Sequence, residues 1–335
     1  MKKYIAVWVA VLAAVAIMVF YKQDPLVYRS ASGVVWHTTY NIVYESEVAL
    51  DDSIIAVTNC IDNSASMYNS RSVLSRINGN RTDTADSIVA MLLRRSIEVN
   101  RETGGAFDPT VAPLMKLWNM RSDSAALPGD EVIDSVLQYV GMDKVRLVGN
   151  TVIKDDARVQ IDFSAIAKGL GCDEVARMLE RNGVENYIVE IGGEIVAHGF
   201  NGRGKPWSVS VDMPIEENDT VVHSSALMLA LDDGAVATSG NYRNYKVVDG
   251  KKVAHIINPA TGRTAQSSLL SVTVVAGNCM DADAYATALM VMGFDGACRF
   301  ASSRDDIAVV LIYVDEDGSL QVWRSHGMSR YEMRA

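Results

Sequence analysis

The chain has 335 residues, 49% of them hydrophobic and 21% charged, with a formal net charge of -10 and a pI near 5.0. That length can bury a large core, and that composition is ordinary for a globular protein. The acidity argues against nucleic-acid binding through a basic surface, so a polyanionic ligand would need local compensation from a lysine, a helix N-terminus or a divalent cation.

Met1-Lys2-Lys3 is a basic start, and the uncharged, mostly apolar run from Tyr4 to Tyr21 follows it. As a helix at ~1.5 Å per residue the run would reach about 27 Å, close to the thickness of a bilayer's hydrocarbon core. Signal-peptide apolar cores are usually shorter, no A-x-A site stands near Tyr21, and no cysteine follows that could take a lipid. Residues 1–24 are therefore expected to be an uncleaved anchor, with a cleaved export signal as the alternative, and 25–335 to form one domain. The lysines favour keeping the N-terminus in the cytoplasm, which sends that domain to the extracytoplasmic side of the inner membrane.

Ser32 to Val48 is rich in β-branched and aromatic residues and predicts strand. Leu50 to Tyr68 carries a helical apolar stripe through Ile54, Val57 and Ile61, and the polar stretch after it closes on Asn78-Gly79. Asp86 to Thr103 is helical by period and stops at Gly104-Gly105. In Ala106 to Thr110, Pro109 holds Asp108 out of the helical region. The stretch from Arg121 to Asp156 predicts a Pro128-Gly129 turn, a short helix from Val132 to Tyr139 and a hairpin at Gly149-Asn150, and shows no chemistry.

Arg158 to Gly199 is the stretch the rest is organised around. Val159 and Ile161 alternate as in a short strand, and a helix runs from Ile166 through Leu170, Val175 and Leu179 to the stop at Asn182-Gly183. Tyr187 to Ile191 is strand and ends on Gly192-Gly193. The turn from Ser164 to Lys168 faces the unpaired N–H groups of a helix start, which suits an anion, and Lys168 adds a full charge. Lys205 to Met213, Ser225 to Ala237 and Leu269 to Ala276 predict strands, and Cys279 to Met292 a helix. Strands and helices mix without a β-α-β rhythm, so the fold class is α+β, with mixed and antiparallel sheets packed on helices.

Asp283 and Thr287 are four apart, so one helix face carries a carboxylate and a hydroxyl that could serve one hard cation. Asp281 reads as a helix cap or a water-mediated ligand. The four cysteines, Cys60, Cys172, Cys279 and Cys298, have no C-x-x-C spacing. Zinc or a redox pair is therefore unsupported, and a disulfide is possible without being demanded.

Six segments in consistent order, from about Ser32 to Val314, resemble the ApbE family of flavin transferases. They are SMYNSRSVLSRIN from Ser66, ETGGAFDPTVAPL from Glu102, DFSAIAKG from Asp162 with the later EIGGE, TSGNYRNY from Thr238, HIINPATG from His255, and DADAYATALMVMG from Asp281. The resemblance implies an ApbE-like, T-fold-like architecture and a Mg²⁺-dependent transfer of FMN from FAD to a threonine of a partner protein, with release of AMP. It implies flavin contacts from Tyr68, Asp162, Lys168 and Ile256, and nucleotide contacts from Ala106, Phe107 and Asp108. The metal would take Asp283, Thr287 and the Ala165 carbonyl, with His255 and Asp283 as the catalytic pair. Where the family has Met-Gly-Thr this chain has Trp36-His37-Thr38, and an indole there can stack on the flavin or close the pocket. The implied acceptor is a subunit of a membrane redox complex. Alternatives are an FAD pyrophosphatase at the same site and an exported flavin-binding protein without chemistry.

Overall fold

A computed structural model describes residues 27–119, 127–213, 215–217, 220–222, 225–241, 245–248, 251–254, 256–264 and 267–333. The expected anchor and His255 lie outside these residues. Among the described residues no helix is long and apolar enough to cross a membrane.

The frame is an eight-stranded antiparallel sheet whose strands follow one another in space in their order along the chain. They are β1 (Tyr28–Val35), β2 (Thr38–Glu45), β3 (Tyr187–Ile191), β4 (Glu194–His198), β5 (Asp233–Gly240), β6 (Leu269–Ala276), β7 (Ala308–Val314) and β8 (Leu320–Arg324). The helices are α1 (Asp51–Ala65), α2 (Val73–Asn78), α3 (Ser87–Glu102), α4 (Ala112–Trp118), α5 (Asp130–Leu137), α6 (Ala167–Arg181) and α7 (Cys279–Ser302).

Alternation along the strands sorts side chains to two faces. Ala237, Val274, Val309 and Leu311 join Leu170 and Leu289 in the large core under α6 and α7. Their neighbours Val236, Val275, Val310 and Ile312 turn to the other face, against the hairpin of Trp207–Asp212 and Ser225–Leu231. β6 is buried on both sides, so LLSVTVVA is apolar apart from Ser271 and Thr273, which are buried as well.

The structure corrects several expectations. Ser32 to Val48 is a hairpin of β1 and β2 rather than one strand. Its turn is Trp36-His37, both with positive φ, at 50° and 63°. Two-residue turns of this kind favour Asn-Gly or Asp-Gly, so this pair carries no turn signal in the sequence. Ser225 to Ala237 divides at Asp232, where the chain leaves the small sheet for β5. Val159 to Ile161 is not a strand, because both backbone groups of Ile161 are bonded by the Asn78 amide, at 2.8 Å each. A side chain does there what a ladder partner would do. The polar stretch before Gly79 holds a helical turn, α2, capped by Ser72 accepting from the Ser75 N–H at 2.9 Å.

Asp281 does not cap α7. Asn278 does, accepting from the Asp281 N–H at 2.8 Å, while the Asp281 carboxylate is bound by Arg95. Residues Asp173 and Gly169 of α6 complete this crossing. The Asp173 carboxylate accepts from the N–H groups of Cys279 and Met280 at 2.8 and 2.9 Å, so one helix caps the start of the other.

Candidate active site

Three cavities share walls in sequence around the turn that leads into α6. The first, of about 660 Å³, is walled by Trp36, His37, Tyr68, Asp162 and Lys168. The second, of about 330 Å³, shares Asp162, Ser164, Lys168 and Gly192 with the first and adds Ala165, Glu194, Ser239, Ile256, Asp283 and Thr287. The third, of about 710 Å³, shares Ala106, Asp108, Pro259 and Val291 with the second and adds Gly104, Gly105 and Met142. Aromatic walls at one end, oxygen donors in the middle and a further chamber beyond make an elongated, chemically graded cleft.

At the aromatic end Tyr68 is 56% exposed, and its ring meets His37 edge-on at 6.3 Å. Trp36 lies against α6, where a Cβ on Gly171 would come within 2.7 Å of the indole ring. Only glycine leaves room for that ring. The Trp36 Nε1–H is buried and has no partner among the described residues.

In the middle chamber Lys168 stands between two buried carboxylates. Its Nζ donates to Glu194 Oε1 at 2.5 Å and lies 3.7 Å from Asp283 Oδ1. Asp283 Oδ2 accepts from the Gly169 N–H at 3.1 Å, which fixes the carboxylate and leaves Oδ1 toward the cavity group. Thr287 stands one turn further along α7, and its Oγ1 is 3.2 Å from Ser239 Oγ. The expected metal residues Ala165, Asp283 and Thr287 are thus brought to one wall, together with Lys168. Among the described residues no group of three His, Cys, Asp or Glu side chains is placed to hold a metal ion.

Burial lowers the Lys168 ammonium, but Asp283 and Glu194 outweigh it and hold the lysine above its ordinary value. Burial raises the Asp283 carboxyl, with Lys168 acting in the opposite direction. Glu194 is 3% exposed, and burial pushes its carboxyl up to about 8, against the pull of Lys168 and with Asp283 adding to the rise. Its Oε2 is buried and has no partner among the described residues, a place for that proton or for a ligand hydroxyl.

Sequence reasoning placed EIGGE in the right motif without giving Glu194 a role. The available signal was an acidic residue at the start of a strand whose neighbours are buried, since unpaired Glu is almost never inside. Asp108 is a different case. Its carboxylate accepts from the Thr110 N–H and hydroxyl at 2.7 and 2.6 Å and from the Met142 N–H at 3.1 Å, so the side chain is spent on its own turn. Phe107 is a core side chain bordering the cleft, and Ala106 and Ile256 are plain walls. Asp162 accepts from the Ser164 N–H at 2.8 Å, forming the turn that leads into α6.

Residues 35–311 match the ApbE family. The chain belongs to the ApbE family. Among curated ApbE-type relatives, the FAD:protein FMN transferase of Vibrio cholerae is 35% identical over 322 residues, covering 93% of this chain and 95% of that protein. The FAD:protein FMN transferase of Escherichia coli K12 is 30% identical over 88% of this chain and 85% of its own. The structure of the flavin transferase ApbE from Vibrio cholerae superposes with a TM-score of 0.82 at 34% identity, covering 92% of this chain and all of that one (100%). The apo flavinyl transferase ApbE of Pseudomonas stutzeri also gives 0.82, at 28% identity and 92% and 98% coverage. This ApbE chain is accordingly a transferase with the α+β fold expected from its sequence.

The Glu194 proton has a measurable consequence in this ApbE chain. Its folded-state value near 8 lies above the ordinary 4.5. The folded chain therefore holds that proton more tightly than the unfolded one. The stability this contributes is complete below about pH 4.5 and is lost as pH rises through about 8. With a chelator present, the wild-type melting temperature should drop by several degrees from about pH 6 to about pH 9, and that of Glu194→Gln should drop less. Equal drops in the two proteins would remove the buried proton from the account.

Proposed function

We propose that this chain is a Mg²⁺-dependent FAD:protein FMN transferase that moves FMN from FAD to a threonine hydroxyl of a partner protein and releases AMP. The observation that carries the reading is the oxygen-lined middle chamber, set between an aromatic chamber suited to a flavin ring and a third chamber that can take the nucleotide end.

The donor set fits a small hard cation. A carboxylate, a hydroxyl and a backbone carbonyl from Asp283, Thr287 and Ala165 are hard oxygens, and Mg²⁺ in phosphate chemistry is typically held by one or two carboxylates with the substrate's phosphates completing the shell. Bound there, Mg²⁺ would neutralise pyrophosphate charge and stabilise the charge developing on the leaving oxygens. Glu194 draws the Lys168 ammonium aside from Asp283 Oδ1, at 2.5 Å against 3.7 Å. That leaves Lys168 beside the chamber as a fixed positive neighbour for phosphate oxygens.

Tyr68 offers its face to the flavin, Trp36 backs the same chamber, and Ala106 and Asp108 border the nucleotide end. The acceptor's threonine oxygen forms a bond to the FMN-side phosphorus as the bond to the AMP phosphate breaks. AMP leaves with that electron pair, and His255 takes the threonine proton. The product is a phosphoester.

The acceptor is a membrane redox subunit facing the same compartment. The Tyr4 to Tyr21 run anchors the enzyme on the outer side of the inner membrane, so an alkaline wash should leave it in the membrane fraction. A soluble form beginning near residue 22 to 30 would show cleavage instead. Chromatography of the nucleotides after incubation with FAD, Mg²⁺ and acceptor tests the reaction. The transferase gives AMP with flavin held on the acceptor. Free FMN with AMP would replace it by a pyrophosphatase, and intact FAD would leave only a flavin-binding protein.

A further inference from the structure

Beneath the middle chamber, two cysteines from distant parts of the chain are sealed together. Cys172 of α6 and Cys279 at the start of α7 are both 0% exposed and belong to one apolar cluster. The Cys172 thiol donates to the Glu194 carbonyl at 3.2 Å, and the Cys279 thiol faces the Val236 carbonyl at 3.9 Å. Those carbonyls lie on neighbouring strands, with Val236 opposite Ile195 in the β4–β5 ladder. The two thiols are close enough to influence each other's ionisation.

The backbones that carry them are in close contact. Gly169 stands one turn before Cys172 on the same face of α6. A Cβ on Gly169 would come within 2.6 Å of the Cys279 carbonyl carbon and 2.8 Å of the Met280 Cα. Asp173, next to Cys172, holds the N–H groups of Cys279 and Met280. Gly169, three residues before Cys172, and Asp173 thus both touch the start of α7 that carries Cys279, the kind of close approach that a disulfide's Cα separation of roughly 4.4–6.8 Å requires. Cys60 is exposed and Cys298 lies elsewhere in the fold, so neither competes for the pair.

We propose that Cys172 and Cys279 are an oxidisable dithiol which closes to a disulfide by thiol–disulfide exchange, clamping the α6–α7 crossing beneath Lys168 and Asp283. In the first step one thiol loses its proton and attacks a small disulfide such as oxidised glutathione, giving a mixed disulfide and one glutathione thiolate. The second thiol, as thiolate, then attacks the protein sulfur of that mixed disulfide and expels the other glutathione. Two protein thiols are oxidised and one glutathione disulfide is reduced to two glutathione thiols, which take up the two protons the protein thiols lose. Burial raises both thiols, Cys279 most, so closure is slow in the closed fold and proceeds through transient opening of the helix starts. The inference stands apart from the activity proposed above.

The test uses the full chain in detergent, reduced and then held with excess oxidised glutathione a few degrees below its melting temperature, followed by peptide mass mapping and a melting curve. Exposed Cys60 reports that the oxidant works, by gaining one glutathione. The expected result is a linked peptide pair, two hydrogens lighter than the reduced pair and containing Cys172 and Cys279. Its melting temperature should rise by about 5–10 °C, and the rise should be absent from Cys172→Ala. Glutathione on Cys60 with both buried thiols still reduced would overturn the proposal. So would glutathione trapped on Cys172 or Cys279, or a closed bond that lowers the melting temperature.

Discussion

Replacing Asp283 by asparagine is expected to lower kcat/KM for FMN transfer at least about 100-fold while leaving the fold intact. Loss of a partner behind a metal ligand typically costs 10–100-fold already, so loss of the ligand's own charge should cost at least the upper end. Asparagine keeps an oxygen for the Gly169 N–H, which the aspartate binds at 3.1 Å. Asp283→Ala removes that acceptor as well, and leaving the buried donor unpaired costs about 1–3 kcal/mol of stability. The asparagine variant therefore separates chemistry from folding. Thr287→Val should act in the same direction with a smaller effect, about tenfold, because a hydroxyl is the weaker ligand. A Mg²⁺ titration of activity beside a melting curve checks both variants, and full turnover of Asp283→Asn at limiting Mg²⁺ would remove the carboxylate from the metal site.

The largest expected effect on stability is at Gly169. A methyl there would have to share space with the backbone of Cys279 and Met280, at 2.6 and 2.8 Å, and backbone in a packed helix start cannot swing away as a long side chain can. Gly169→Ala, normally favourable inside a helix, should here cost about 3 kcal/mol and, in a chain of this length, lower the melting temperature by about 4–5 °C. What survives should bind Mg²⁺ poorly, because Lys168 at the start of α6 and Ala165 in the turn before it lie at the end nearest the clash while α7 carries Asp283. An alanine variant that melts like the wild type would mean that the two helices cross further apart than described.

Periodicity made α1, α3, α6 and the start of α7 legible, since each buries one helical stripe against a core already implied by the strands. It could not separate Val159–Ile161 from a strand, because a buried extended segment alternates in the same way whether its backbone is bonded by a ladder or by the Asn78 amide. Nor could it find the turn at Trp36-His37, which lacks the glycine or asparagine that normally marks positive φ. In the site, helix geometry placed Asp283 and Thr287 on one face, and the family resemblance singled the pair out. The Lys168–Glu194 contact did not, because it joins α6 to β4 through the fold, and no local spacing encodes that. Asp108 and Asp281 show the converse. Both sit in motifs that point to ligands, yet one carboxylate holds its own turn and the other holds Arg95.

The central claim is that the middle chamber transfers FMN, and the intact mass of an acceptor protein after incubation with FAD and Mg²⁺ tests it most directly. With the wild-type enzyme the acceptor should gain the mass of one FMN in phosphoester linkage, localised by peptide mapping to a threonine. With Asp283→Asn that gain should be nearly absent over the same time. An acceptor whose mass never changes while FAD is cut to FMN and AMP would contradict the account, as would an acceptor flavinylated equally well by both enzymes.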